Sequence, residues 1–199
     1  MKVQKISVMS KNVERSQIFS GLRYPSFSLK NRLIRAAWFV VWGLLASWTP
    51  PQLHVWRCFL LRLFGAKIGK HVRVYGSCKI WYPPNLIMED YSVLAWSTNC
   101  YNQGLITIKE YSVVSQYAQL VAGTHVIDDP SFKLITKPIT IERFAWIASD
   151  AFVGPGVTVH EGAVLGACAV TFKNLEPWSV YTGNPATFLR MREAYHYTN

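Results

Sequence analysis

Cysteine pairs, zinc spacings and long hydrophobic runs are all missing from this sequence. The four cysteines, Cys58, Cys78, Cys100 and Cys168, lie 20 or more residues apart, with no CxxC pair and no Cys/His cluster of zinc-ligand spacing. That excludes a disulfide scaffold and a zinc module, and it reads as reduced thiols in the cytosol. Charge is sparse, at 16% of residues, and acid is nearly absent from the front. Residues 1–79 carry 14 Lys or Arg against the single acid Glu14, whereas residues 80–199 carry 7 against 10, so the front is +13 and the remainder −3. With 50% of its positions apolar, the chain is not of the disordered class and can bury one good-sized core. No signal-peptide cleavage pattern stands out.

A basic front can meet nucleic acid or an anionic membrane, and its neighbouring residues decide between them. No nucleic-acid motif accompanies the charge, so no nucleic-acid partner is expected. Residues 1–30 are polar and basic with little periodicity and read as an arm without a core. From Ala36 to Leu53 run 18 uncharged residues, bracketed by Arg32 and Arg35 before and Arg57 and Arg62 after. Pro50 and Pro51 interrupt that run. Its strongly apolar part, Ala36 to Trp48, falls short of the about 20 residues that a membrane span needs. Four of the eight tryptophans, Trp38, Trp42, Trp48 and Trp56, sit among these arginines. Two readings stay open: helices lying at the headgroup level of a membrane surface, or a helical hairpin packed on protein.

What the chain does have is a fixed period of six. From Ile141 to Val170 it reads IERFAW, IASDAF, VGPGVT, VHEGAV and LGACAV, each unit opening on an aliphatic residue. The fifth position is Ala in four units and Val157 in the other. A helix at 3.6 residues per turn cannot hold that phase. Each hexad therefore predicts one short strand and a turn, and three hexads close one triangular coil of a parallel β-helix. Left-handed winding is expected for units this short with small corner residues, against the usual crossover preference. Earlier units open at Ile68, Val74 and Ile80, after which Pro83 and Pro84 are read as shifting the phase by one residue, to Ile87 and Val93. A further block opens at Ile108, Val114 and Leu120, and the period fails around 101–104 and again at 125–140. About twelve hexads predict about four coils. The expected architecture is all-β. Residues 1–64 form an arm and a helical, Trp/Arg-rich extension, 65–192 a left-handed β-helix with an inserted loop at 125–140 and a short C-terminal cap, and 193–199 a tail.

Hexads broken by a loop containing His125, followed by Lys173 and then Gly183-Asn184-Pro185-Ala186, resemble the left-handed β-helix acetyltransferases of the hexapeptide-repeat superfamily. Within that group, LLRLFGAKIG, GTHVIDDPSF and PWSVYTGNPA are most similar to the colanic acid biosynthesis acetyltransferase family, whose basic, Trp-rich front matches residues 32–64. The resemblance implies an acyltransferase moving acetyl from acetyl-CoA to a hydroxyl of a sugar or oligosaccharide, in an exopolysaccharide or capsule repeat unit or its lipid-linked precursor. It also implies no metal and a homotrimer; a cytoplasmic enzyme is expected, and under the headgroup-level reading of residues 32–64 it is peripheral on the inner face of the plasma membrane.

An alcohol is almost fully protonated at neutral pH, so its attack on a thioester needs a base, and imidazole with an ordinary pKa of about 6.5 is suited to the task. His125 stands where an in-phase hexad hands over to the loop, and by resemblance it is the general base. Asp128 and Asp129 follow it and are expected to orient the imidazole or meet acceptor hydroxyls, although Asp before Pro130 is equally a turn former. Asn102 and Asn99 fall in or beside the earlier break, and by resemblance one of them binds the acceptor. Residues matching Ser149, Ala167, Phe172, Lys173 and Arg190 line the CoA groove in related sugar acetyltransferases. Ser149 and Ala167 are 18 residues apart, one full coil, and so stack on one face. Lys173 and Arg190 suit the phosphates, and Asn184 and Pro185 end the last coil near the pantetheine arm. Two other readings remain, an inactive β-helix scaffold at the membrane and a γ-carbonic-anhydrase-like metalloenzyme. For the second, the other coil histidines, His71 and His160, lack companion spacing.

Overall fold

The computed structural model describes residues 26–194 together with Glu14 and Gln17. The arm expected over residues 1–30 lies almost wholly outside the described residues, as do residues 195–199 of the tail. The chain divides into two units, one holding His125–Leu134 with Met1–Ser26, the other Phe27–Thr124 with Ile135–Asn199.

Three parallel sheets run through the second unit. Face A stacks Lys67–Ile68, Leu86–Met88, Ile106–Ile108, Ile139–Ile141 and Thr158–Val159. Face B stacks Arg73–Val74, Val93–Leu94, Val113–Val114, Trp146–Ile147, Val164–Leu165 and Ser179–Thr182, and Thr187–Met191 closes it antiparallel. Face C stacks Lys79–Ile80, Asn99–Tyr101, Gln119–Val121, Phe152–Val153 and Val170–Thr171. These are the sides of a β-helix. Five coils are complete and Ser179–Thr182 begins a sixth, which exceeds the about four that hexad counting predicts.

The hexad openers Ile141, Ile147, Val153, Val159 and Leu165 are fully buried, and the small fifth residues Ala145, Ala151, Val157, Ala163 and Ala169 are buried beside them. Large and small side chains thus share the narrow interior of each coil. One phase differs from the sequence reading. Beyond the single turn of 3-10 helix at Pro83–Asn85 the inward residues are Met88, Leu94 and Cys100, so the phase moves by two residues, and Ile87 and Val93 lie half-buried on the outside. Apolar residues occupy both faces of these strands, which hides a one-residue slip that would otherwise reverse every side chain.

Each coil bonds to the next, as Arg73 N does to Ser92 O and Val93 N to Ser112 O, but no coil precedes the first, so the carbonyls of Ile68, Val74 and Ile80 at its open edge need partners from outside the stack. An open edge of this kind templates aggregation, and an orphaned buried carbonyl costs about 1–3 kcal/mol. Helices α1 (Leu29–Leu45) and α2 (His54–Leu63) supply the missing donors. Trp38 Nε1 donates to Ile80 O at 2.7 Å, Trp42 Nε1 to Gly76 O at 3.1 Å, and Arg57 Nε to Val74 O at 2.6 Å. Arg62 spans the Ile68 and Gly69 carbonyls at 3.1 and 2.7 Å. Trp38, Trp42, Cys58, Leu60 and Leu61 share one core with Val72, Val74 and Ile80. Trp38, Trp42 and Arg57, candidates for the headgroup level in the sequence, are therefore buried edge caps.

One corner carries a column of rings that no hexad rule predicts. His71, Tyr91, Tyr111, Phe144 and Trp178 all take φ between 54° and 60°, and neighbouring rings from His71 to Phe144 stack at 4.8, 4.9 and 5.4 Å. Gly162 leaves the gap beneath Trp178, where a Cβ would lie 2.5 Å from the indole.

Candidate active site

His125 ends the short strand Gly123–His125, which pairs with Leu134–Thr136 to form the neck of the inserted loop. The loop is tied by its own backbone, with Val126 N on Lys133 O at 2.9 Å and Phe132 N on Asp129 O at 2.8 Å. Phe132 turns back, with φ 53°, so that its carbonyl lies 2.8 Å from His125 Nδ1 and its ring lies on the imidazole, centroids 4.2 Å apart and 10° from parallel. A carbonyl can only accept, so this bond puts the proton on Nδ1 and leaves the lone pair on Nε2.

The loop narrows the reading of its two acids. The imidazole is oriented by the Phe132 carbonyl and not by Asp128 or Asp129. Asp129 Oδ1 accepts from Ser131 N at 2.8 Å, and that bond holds its carboxyl below the usual aspartate range. It is a turn-forming residue here, and Asp128 is exposed beside it. A main-chain carbonyl has no side-chain signature, so nothing in the sequence could single out Phe132.

The two asparagines also separate. Asn102 is fully buried, its Oδ1 accepting from Trp81 N and Tyr82 N at 3.0 Å each while its Nδ2 donates to Tyr82 O at 2.7 Å. Its amide holds one coil on the next. Asn99 faces outward in the row Lys79, Asn99, Gln119 on face C and lines a pocket of about 310 Å³ between α1 and that face. Phe39, Trp42, Trp81 and Tyr101 make that pocket mostly apolar. The 20-residue pairing of Lys79 with Asn99 is the signal that could have found it.

The residues assigned to CoA gather at the upper end but not in one column. Cys168 N donates to Ser149 O at 3.0 Å and Gly166 N to Tyr181 O at 2.8 Å. Ser149, Ala167 and Gly183 therefore stack at the corner between faces B and C, with Asn184 and Pro185 exposed next to them. Phe172 and Lys173 stand at the opposite edge of face C. The Phe172 ring packs near Phe152, 5.6 Å between centroids, and covers Gly154, where a Cβ would come within 2.3 Å of it. The main chain of Lys173 is fixed through Thr171 Oγ1, which leaves its side chain exposed. Arg190 lies opposite Val180 on the antiparallel strand and donates to Met191 O at 3.0 Å. Among the described residues neither cation forms an ion pair.

The remaining titratable groups have structural partners. His160 Nδ1 lies 3.3 Å from Glu142, which also takes Lys109 Nζ at 3.2 Å. Burial alone would raise the Glu142 carboxyl, but Lys109 and His160 outweigh it and hold the group below the usual glutamate range. Burial pushes the Cys58 thiol up to about 11 and the Cys78 thiol up to about 12. Among the described residues no group of three His, Cys, Asp or Glu could hold a metal ion.

No family model matches the sequence. Over 177 residues, 88% of this chain and 97% of the relative, it is 42% identical to the protein assigned as colanic acid biosynthesis acetyltransferase WcaF of Escherichia coli (strain K12). A maltose O-acetyltransferase of Clostridium difficile 630 superposes with a TM-score of 0.76 at 22% identity, covering 84% of this chain and 90% of that one. A hexapeptide-repeat-containing acetyltransferase of Vibrio cholerae O1 biovar eltor, solved with acetyl coenzyme A, gives 0.74 at 19% identity over 90% and 98%. At such identities the solved structures establish the shared fold. The first relative, matched along nearly its whole length, establishes more: this chain belongs to the colanic acid biosynthesis acetyltransferase family of hexapeptide-repeat acyltransferases.

Proposed function

We propose that the protein transfers acetyl from acetyl-CoA to a sugar hydroxyl of an exopolysaccharide or capsule repeat unit or its lipid-linked precursor, with His125 as general base. The observation that carries this reading is the 2.8 Å bond between His125 Nδ1 and the Phe132 carbonyl. It selects the tautomer in which Nε2 can accept a proton, and the stacked Phe132 ring holds the imidazole plane. Nε2 takes the hydroxyl proton as the acceptor oxygen bonds to the acetyl carbon. The carbon–sulfur bond then breaks, and the imidazolium returns that proton to the sulfur, giving the sugar ester and free CoA. Base catalysis of this kind is typically worth about 10²–10⁴-fold in rate.

The upper end fits the long co-substrate. The Ser149, Ala167 and Gly183 corner offers small residues against which an amide-rich arm can lie, and Lys173 and Arg190 are exposed cations for phosphates. Asn99 and its pocket are the acceptor candidates on face C. The relatives named for colanic acid biosynthesis and for maltose support a sugar acceptor. A homotrimer belongs to the proposal. Its support is the outward row Val93, Val113, Trp146 and Val180 along face B, an apolar side that a neighbouring subunit would cover. A cytoplasmic location belongs to the same proposal, supported by the acetyl-CoA supply and the four unpaired thiols.

The test is transfer of radiolabel from acetyl-CoA to free and lipid-linked oligosaccharides. His125→Ala should lower turnover by about 10²-fold or more with the fold retained. Turnover equal to that of the native chain would remove His125 from the chemistry.

A further inference from the structure

The helices that close the lower end turn only one side to the β-helix. The other side is apolar and unpartnered, and it is most pronounced where α1 hands over to α2. Leu44 is 66% exposed, Trp48 71% and Val55 80%, with Leu45, Leu53, Trp56 and Phe59 exposed around them. Trp56 meets the end of α1 at Leu45 and Phe64 meets its middle at Trp38, so α2 runs back along α1 and residues 44–56 form a tip.

The end of α1 in this tip is sealed from within. A helix ends with carbonyls that lack intrahelical donors, and on a wet surface water satisfies them. Here every carbonyl from Trp42 to Ala46 accepts a bond from the protein. Gly43 O takes Ser47 Oγ at 2.9 Å, Leu44 O takes Trp48 Nε1 at 2.7 Å, and Leu45 O takes Trp56 Nε1 at 2.7 Å. Trp42 O takes the Ala46 and Ser47 amides, and Ala46 O takes Thr49 N. Two exposed indoles, whose N–H groups could donate to water, instead close helix carbonyls and present only ring surface outward. Arg57, the one charge nearby, is buried and spends its Nη groups on the Thr49 hydroxyl and the Pro50 and Pro51 carbonyls. Such internal satisfaction is what a segment requires where water is absent.

Charge selects the occupant. No Asp or Glu occurs between Glu14 and Glu89, and the exposed cations Lys30, Arg32, Arg62 and Lys67 lie at the other ends of the two helices, away from the uncharged tip. A second copy of the same surface would set these cations against their own kind. An anionic bilayer answers both parts, headgroups for the cations and the acyl boundary for the tip. No described helix is long and apolar enough to cross a membrane. We propose that the α1–α2 tip inserts into the headgroup and acyl boundary of an anionic lipid bilayer, with Trp48 and Trp56 as its apolar wedges, and that the basic ends of the helices rest on the headgroups.

The experiment is flotation of the full chain with vesicles of phosphatidylcholine alone and of phosphatidylcholine with phosphatidylglycerol, at low and high salt. The native chain should float with the anionic vesicles and less so as salt screens the headgroups. Leu44→Glu with Val55→Glu, at two exposed positions, should lower the bound fraction about tenfold or more at unchanged melting temperature. As a readout that leaves the tip intact, anionic vesicles should shift tryptophan emission to the blue, and Trp48→Phe should remove part of that shift. Failure of the native chain to float, undiminished flotation of the double variant, or an unchanged emission shift in Trp48→Phe would each overturn the proposal. So would a double variant that changes only the size of the free assembly by light scattering, which would assign the surface to a second copy.

Discussion

The two ends of the β-helix are closed by different means. At the lower end the first coil presents carbonyls, so the cap must bring N–H donors, and Trp38, Trp42, Arg57 and Arg62 bring them from side chains. At the upper end the chain itself continues the ladder and brings both partners from its backbone. His160 N meets Leu175 O, Gly166 N meets Tyr181 O and Val170 N meets Gly183 O, while Leu175 N donates to Thr158 O and Ala186 N to Val170 O. A chain that continues the ladder can supply both partners from any sequence, whereas donors reaching sideways from a helix must be Trp, Arg or their like. The lower cap thus writes itself into composition and the upper one does not. It also explains why a Trp/Arg-rich front is an ambiguous signal: its inner half caps a sheet edge and its outer half is free.

Breaking the lower cap should produce the largest effect on stability. Arg57→Leu withdraws a charged donor from the Val74, Pro50 and Pro51 carbonyls together and should cost about 3 kcal/mol, read from the denaturant midpoint, with turnover per folded molecule retained. Trp38→Phe keeps nearly the same ring but removes one N–H from Ile80 O, and a loss of about 1–3 kcal/mol is expected by the same measurement.

The upper end should answer differently. Lys173→Ala should raise the KM for acetyl-CoA about tenfold, the size of one charge-assisted contact, while stability moves by less than about 0.5 kcal/mol. A loss of stability with KM unchanged would make Lys173 part of the cap and erase the contrast. The smallest effect is set by Glu142, whose carboxyl is held below its ordinary range in the folded chain by Lys109 and His160. Because the folded value lies below the unfolded one, its contribution is complete above the ordinary glutamate range and is lost as pH falls through the folded value. Melting temperature against pH should therefore drop more shallowly on that acid limb in Glu142→Gln.

Most of the β-helix was legible because inward aliphatics and small corner residues recur with the strand period, as Ile141 to Leu165 show. Where the period carried less contrast, the reading slipped: Ile87 and Val93 look as apolar as Met88 and Leu94, and only packing chooses between them. The candidate site was legible as residue types but not as roles. Asn102 and Asn99 are three positions apart and chemically identical, yet one is fully bonded inside a coil and the other lines a pocket. The partner of the His125 imidazole is a backbone oxygen whose position depends on the left-handed turn at Phe132.

By itself the sequence determined the coil and its period and singled out His125 as the candidate base, because these rest on side chains repeated or singled out in order along the chain. Only the tertiary structure decided which tryptophans are buried, which asparagine is open and which nitrogen of His125 carries the proton. Those depend on where backbone carbonyls of distant residues come to lie, and a carbonyl is the same in every residue of the chain.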